Sequence, residues 1–485
     1  MRTSWPALVA VACLGSAAAR AADPPGAWPA PIHVVLDTTA PLVHGRDGRL
    51  PLYLWPALDP GLLEAERAEA LVAELDRRGV GLVCRWDWGD RDRSLAAALV
   101  VARAQHGRGL LVNVDATSCL SSFFDGDPRT AHVDDEGGLF WDSSFGPPHM
   151  GCPFALAGRR GPIRERIEFF ADAYSRAGLA PGFVFADWEI DGPIEWNGAW
   201  DASRRCRRCR AEVPDIDNFL AFQKRLRDLR ADLERDVYAE PLRRRYPGVL
   251  VGNYAVHPHD GFRYWYDFFE REPTDAPGLR DGRTLHRHWA SEFEGSGFTC
   301  AMPVVYTWER IWGWSDHLPA DFRWFRALLM EATSVGRQTP RDVPIVSFVH
   351  WHTTAPADPR DPAVEQMSAV AYRELLWHML LRGTDTFFLW CLPEEQAEEI
   401  ALLHPVWAAA QEYGAFLDRG TPVCFDVPSR CAPVVSGLRL GDRVLVRRTD
   451  FGPTDGPVDL IVEGRRLRID PAPGRCRILS LADGR

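Results

Sequence analysis

From residue 32 onward the same unit recurs: a short apolar run of β-type residues, a polar or aromatic end, then a stretch with helical periodicity. The strand candidates are 32–37, 80–87, 109–115, 182–189, 248–254, 299–306, 344–350 and 384–391. Helical patterns lie between most of them, at 61–78, 92–106, 161–178, 214–246, 320–337, 362–382 and 395–417, and the pattern is weakest over 257–298. A parallel strand pair can be joined only by a long crossover, so this alternation implies βαβ units and an α/β fold. Eight units imply a closed (β/α)8 TIM barrel. The competing architecture is a doubly wound open sheet. No glycine-rich phosphate fingerprint follows the first candidate strand, which ends Leu36-Asp37-Thr38-Thr39-Ala40, and this favours the barrel.

The chain has 485 residues, 46% of them hydrophobic, enough for one large domain and a smaller one. A formal net charge of −11 argues against nucleic-acid or anionic-membrane partners. Lys224 is the sole lysine and sits in a polar helical stretch, which argues against Schiff-base chemistry. Residues 1–21 read as a secretory signal peptide, with Arg2, an apolar stretch from Ala7 to Ala19, and Ala19-Arg20-Ala21 as the cleavage site. The expectation is a secreted or periplasmic protein without a membrane span, its barrel covering 22–418. Beyond about 419, helical periodicity gives way to short β-type runs at 433–440, 443–449, 458–463, 466–470 and 475–481. This predicts a small all-β, sandwich-like accessory domain over 419–485. Cys424 and Cys431 there flank a Pro-Ser turn at a spacing open to a disulfide.

Barrel enzymes carry their chemistry at the carboxyl ends of the strands. The residues expected there are Asp37, Arg85, Trp86, Asp87, Asn113, Asp115, Asp187, Glu189, Asn253, Tyr254, Tyr306, Trp308, His350 and Trp390. Asp187 and Glu189 end the run Phe183-Val-Phe-Ala-Asp-Trp-Glu. Alternation along a strand puts both acids on one face, with Trp188 on the other. Two neighbouring acids cannot ionise independently, which is what a general acid with a charged helper needs. The structural alternative is a pair of loop-capping or arginine-bound carboxylates. Nineteen tryptophans supply flat apolar faces suited to sugar rings. Trp86, Trp308 and Trp390 read as binding residues, and Trp324 and Trp407, inside helical patterns, as core.

Two long loops, about 116–160 and 190–214, follow the third and fourth strand candidates. The first carries the acidic pieces Asp125-Gly-Asp127 and Asp134-Asp135-Glu136, whose spacing is not that of an EF-hand and which read as solvated loop. The second carries Cys206-Arg-Arg-Cys209. Together with Cys119 and Cys152, this pair suits either a structural zinc site or disulfides between the loops. No cofactor is expected for catalysis.

The Asp-x-Glu pair ending a barrel strand resembles family 18 chitinases and the hyaluronidases. That resemblance implies Glu189 as general acid and Asp187 as the group orienting the substrate's N-acetyl oxygen for internal attack. Met302-Pro-Val-Val-Tyr306 is similar to the chitinase Met-x-Tyr-Asp run, which implies Tyr306 as a donor to that group, and Trp390 would match the floor tryptophan. Phe183 and Phe185 stand where the longer chitinase motif has aspartates, and Thr307 follows Tyr306 in place of aspartate. Separately, Cys206-x-x-Cys209 leading into Phe219-Leu-Ala-Phe222 resembles the cysteine cluster of family 42 β-galactosidases. These resemblances cover about a tenth of the chain and imply a glycoside hydrolase acting on a glycan. A non-catalytic carbohydrate-binding barrel and a two-carboxylate glycosidase are the alternatives. A conventional retaining pair needs carboxylates roughly 5–5.5 Å apart, and an inverting pair roughly 6.5–9.5 Å. Asp187 shares the acid's strand and face, which leaves Glu309, Asp87 or Asp115 for that role, or substrate assistance without one.

Overall fold

The computed structural model describes residues 28–54, 63–120, 126–142, 151–188, 199–260, 262–263, 284–285, 292–307, 319–353, 366–452 and 456–483. The segment expected to be a signal peptide, Glu189, Trp308 and Glu309 lie outside the described residues. Two parallel sheets form the centre. In the first, the order is Val304–Tyr306, Val346–His350, Thr386–Leu389, Leu52–Leu54, Val80–Gly81. In the second it is Val83–Arg85, Asn113–Asp115, Phe183–Ala186, Leu250–Asn253. Only Leu82 separates Gly81 from Val83, so one extended stretch runs from sheet to sheet. At the far edges, Thr299 N donates to Val251 O at 2.9 Å, and Val251 N to Thr299 Oγ1 at 2.8 Å. Gly252 permits this approach: a Cβ there would lie 2.7 Å from both Cys300 Sγ and Met302 Sδ.

Rings from both sheets meet between them. Tyr53 stacks on Phe183 at 4.7 Å and Phe388 at 5.3 Å, and Phe388 lies 4.4 Å from Phe185 and 4.8 Å from Phe348. Phe183 and Phe185 are therefore core residues of one strand face, and the alternation that points them inward carries on to Asp187. Amphipathic helices cover the outside. Ala65–Arg77, for instance, buries Ala68, Leu71, Val72 and Leu75, the i, i+3, i+4, i+7 stripe.

The first strand candidate is corrected. Residues 32–37 lie in the helix Ala30–Thr38, which buries Ile32 and Val35 three positions apart and leaves Asp37 exposed. Its β-branched run reads as strand, but Pro31 fits the first helical turn, where its missing N–H leaves nothing unsatisfied. The strand that pairs with both Thr386–Leu389 and Val80–Gly81 is Leu52–Leu54, a piece too short to announce itself in sequence.

The C-terminal region is antiparallel. Thr421–Pro422, Val434–Leu440, Arg443–Thr449 and Cys476–Ser480 form one sheet, and Val458–Val462 pairs with Arg465–Ile469. Val444, Val446, Leu460, Val462, Leu467 and Ile469 fill the layer between them. The sheet is tied to the helix Ala369–Leu380 and the turn after it: Arg447 makes a bidentate contact with Glu374, at 2.8 and 2.5 Å, and His378 Nδ1 and Arg382 Nε reach Ser436 Oγ. Cys424 and Cys431 are free thiols, so the disulfide that their spacing left open is not formed.

Candidate active site

Asp115 and Asp187 follow one another at the ends of adjacent parallel strands. Thr117 joins them, its N–H donating to Asp115 Oδ1 at 2.9 Å and its Oγ1 accepting from Asp187 N at 2.8 Å. Arg85, at the end of the next strand, donates from Nε to Asp115 Oδ2 at 3.4 Å. Asp187 is half-buried, and its Oδ1 is buried without a hydrogen-bond partner among the described residues. Burial, and secondarily the charge of Asp115, push the Asp187 carboxyl up to about 7. It changes charge near neutral pH, where an ordinary aspartate is fully ionised.

The segment leading from Asp187 toward Glu189 is held by its backbone. Trp188 N donates to Asn253 Oδ1 at 2.9 Å, while Asn253 Nδ2 and Arg230 Nη2 both donate to Trp188 O, at 3.2 and 2.8 Å. Asn253 Nδ2 also reaches Glu234 Oε1 at 2.9 Å. Arg230 Nε lies 2.5 Å from Glu292 and 3.4 Å from Glu234, and all three charged groups are buried. A buried pair with two carboxylates on one guanidinium is costly to assemble and costly to break, so it fixes geometry rather than adding net stability.

An aromatic and histidine face lies at other strand ends. Tyr306 stacks on Trp390 at 5.8 Å with 23° between planes, Tyr254 packs 6.3 Å from Tyr306, and His350 meets the edge of Trp390 at 5.3 Å. Trp390 is half-buried and Tyr254, Tyr306 and His350 are buried. His350 Nε2 lies 3.0 Å from Glu395 Oε2. Glu399 Oε1 accepts from the N–H groups of Trp351 and His352, both at 2.8 Å, and lies 2.9 Å from His352 Nδ1. That bond to Glu399 is the main reason His352 is raised above the ordinary histidine range, against the opposing effect of burial. Burial pushes Glu395 up, but the His350 hydrogen bond, the Leu392 N–H and the histidine charges outweigh it and leave it below the carboxylate range.

The structure thus groups Arg85 with Asp115 and Asp187, groups Tyr254 with Tyr306, His350 and Trp390, and corrects other expected contacts. Asp37 belongs to the outer helix. Trp86 is fully buried behind the strands, stacked on Phe170 at 5.3 Å and edge-on to Tyr174, where no ligand at the strand ends can reach it. Asn113 begins its strand rather than ending it; it accepts from Tyr53 Oη at 3.1 Å and donates to Leu82 O and Leu111 O. Asp87 caps its loop, accepting from Gly89 N and Ser118 Oγ. Sequence reasoning missed Thr117, Arg230, Glu292, Glu395 and Glu399. Only the last pair left a signal, two acids one turn apart at a helix start.

A second cluster lies in the long loops. His132, Cys152, Cys206 and Cys209 are all buried, and their ligand-type atoms lie within 4.8 Å of one another. The expected fourth member, Cys119, is elsewhere: it sits in the turn Thr117–Leu120 with its Sγ 3.7 Å from Trp86 O. Among the described cysteines none is disulfide-bonded. Of the acidic pieces of the first loop, Asp134 accepts locally from Gly138 N, and Asp135 accepts from Arg210 of the second loop.

No protein-family model and no curated protein matches this sequence. Similar solved structures are glycoside hydrolases. They include α-L-fucosidase isoenzyme 2 from Paenibacillus thiaminolyticus, 13% identical over 78% of this chain and 51% of that one, with a TM-score of 0.42. An α-galactosidase from Lactobacillus brevis is 13% identical over 86% and 48% of the two chains, with a TM-score of 0.41. Bee venom hyaluronidase is 12% identical over 60% and 85%, with a TM-score of 0.32. This chain spans about half the length of the fucosidase and the α-galactosidase.

Proposed function

We propose that this chain is a glycoside hydrolase on a (β/α)8 barrel, with Glu189 as general acid and base and Asp187 as its electrostatic helper. The observation that carries the reading is the state of Asp187. A carboxyl at a parallel strand's end, with a buried oxygen unpartnered among the described residues and a pKa near 7, is poised to change charge beside a substrate. The barrel is supported by eight strand positions, by the stretch 80–85 passing from sheet to sheet, and by the Val251–Thr299 bonds at the opposite edges. Tyr306 and Trp390 offer stacked aromatic faces at the ends of their own parallel strands, the arrangement that a sugar's C–H face fits. The apolar N-terminal segment supports a secreted or periplasmic location.

Among the described residues, Asp115 and Asp87 at the strand ends are already engaged. Asp115 is buried against Arg85 and the Thr117 N–H, and Asp87 caps its own loop. This supports substrate assistance on an N-acetylhexosamine. The acetamido oxygen attacks the anomeric carbon while Glu189 gives its proton to the leaving glycosidic oxygen. Asp187, as carboxylate, accepts the acetamido N–H as positive charge develops there, and that charge lowers its pKa in turn. Glu189 then takes a proton from the water that opens the cyclised intermediate. A pair of aryl glycosides with and without the 2-acetamido group tests this. The account expects turnover of the first only, and inhibition by a thiazoline mimic of the cyclised intermediate. Efficient cleavage of the second places the nucleophile elsewhere, with Glu309, Asp87 and Asp115 next to mutate.

A further inference from the structure

The cluster in the long loops has the chemistry of a metal site rather than of a cystine. Cys152 Sγ lies 3.4 Å from Cys209 Sγ and 3.9 Å from Cys206 Sγ, and Cys209 Sγ lies 3.9 Å from His132 Nδ1. Four ligands at the usual zinc distances, about 2.3 Å for sulfur and 2.0–2.1 Å for nitrogen, sit at tetrahedron corners separated by roughly 3.5–3.8 Å. A disulfide needs about 2.05 Å and would join only two of the three sulfurs, leaving the third and the imidazole buried. His132 is wholly buried, and its Nε2 has no hydrogen-bond partner among the described residues. Phe140 stacks on the imidazole at 5.0 Å and 17°, fixing its plane. Val133 N points at Cys206 Sγ from 3.5 Å, an N–H donor suited to a thiolate.

We infer that His132, Cys152, Cys206 and Cys209 bind one structural zinc ion through three thiolates and one imidazole nitrogen. Binding releases the three thiol protons and leaves the centre with a net charge of about −1. Arginines surround it: Arg205 lies over the Phe140 ring and Arg208 Nη1 reaches Ala131 O. The ion would join the hairpin His132–Val133 and Leu139–Phe140, the turn before the helix Ala157–Arg176, and the short helices Ala199–Arg205 and Arg207–Glu212. Those short helices begin at Ala199, so the metal would fix the chain ten residues after Glu189 in sequence. The inference holds whatever reaction the strand ends perform.

The test uses the full chain purified without added metal, then metal analysis and titration with a mercurial thiol reagent in the presence of a zinc indicator. One zinc per chain is expected, released as the cluster thiols react and absent from Cys206→Ser. Cobalt replacement of the native protein's metal should give intense visible bands with sulfur-to-cobalt charge transfer in the near ultraviolet, a readout that needs no variant to fold. Zinc-free protein that takes up neither metal, or a peptide map showing a Cys152–Cys209 disulfide, overturns the site. Zinc fully retained by Cys206→Ser and Cys209→Ser also overturns it.

Discussion

Thr117 connects Asp115 to Asp187 by one hydrogen bond to each, so the two acids at neighbouring strand ends are held as a unit. The unit pairs opposite fates. Asp115 has Arg85 and an N–H to balance it, whereas Asp187 Oδ1 is buried without a partner among the described residues and its carboxyl titrates near 7. An arrangement of this kind costs stability and is retained where chemistry uses it.

That cost sets the first prediction. The folded pKa of Asp187 is raised from 3.8 to about 7, so the folded state binds more protons between those values. Its contribution to stability is complete below about pH 4 and is lost as pH rises to about 7. The full loss is roughly 4 kcal/mol, from about three pKa units at about 1.4 kcal/mol each. Asp187→Asn should therefore melt above wild type at pH 8, with the gap closing toward pH 4, while losing activity. Thermal melts across that range check it; parallel curves would remove the raised carboxyl.

Arg230→Met leaves Glu234 and Glu292 buried without their guanidinium and removes one bond to Trp188 O. The expected loss is about 3–5 kcal/mol of stability. Asn253→Ala, which frees the Trp188 backbone, should lower kcat more than it raises KM, because it displaces the acid rather than the binding surface. Denaturant unfolding and steady-state kinetics on the two variants check both.

Much of this was legible in the sequence, and the misses share a cause. Period and composition located the strands that end in Arg85, Asp115, Asp187, Asn253, Tyr306, His350 and Trp390, and the C-terminal hairpins. They failed at Leu52–Leu54, where three residues carry no period, and at 32–37, where β-branched residues occupy a helix. Strand-end position also misassigned Trp86 and Asn113, because sequence shows parity along a strand but not what stands behind it. Arg230, Glu292 and His132 act through contacts distant in sequence, which no local pattern records.

The two tryptophans separate binding from packing. Trp390→Ala should raise KM with little change in melting temperature, since its ring is half-buried at the strand ends. Trp86→Ala should instead cost about 3–5 kcal/mol and leave KM unchanged, since the ring is enclosed by Phe170 and Tyr174. Paired melts and kinetics would show the opposite assignment if Trp86 touched substrate.

Glu399 should set the titration of His352. Wild-type His352 is expected above the ordinary histidine range, so the stability it contributes is present below about pH 6.5 and fades as pH rises through its raised pKa. Glu399→Gln removes the charge and should bring His352 down. NMR titration of the imidazole reads this directly, and an unshifted His352 would contradict the pairing seen here.

The proposal as a whole rests on Glu189 delivering a proton to a glycosidic oxygen. Reducing-end release over a panel of glycans, run on wild type and Glu189→Gln beside a binding array, measures that step. The account predicts that at least one bound glycan is cleaved by wild type, and that the variant binds it with turnover reduced about 10²–10⁴-fold. Binding without cleavage across the panel, or a variant as active as wild type, would contradict it.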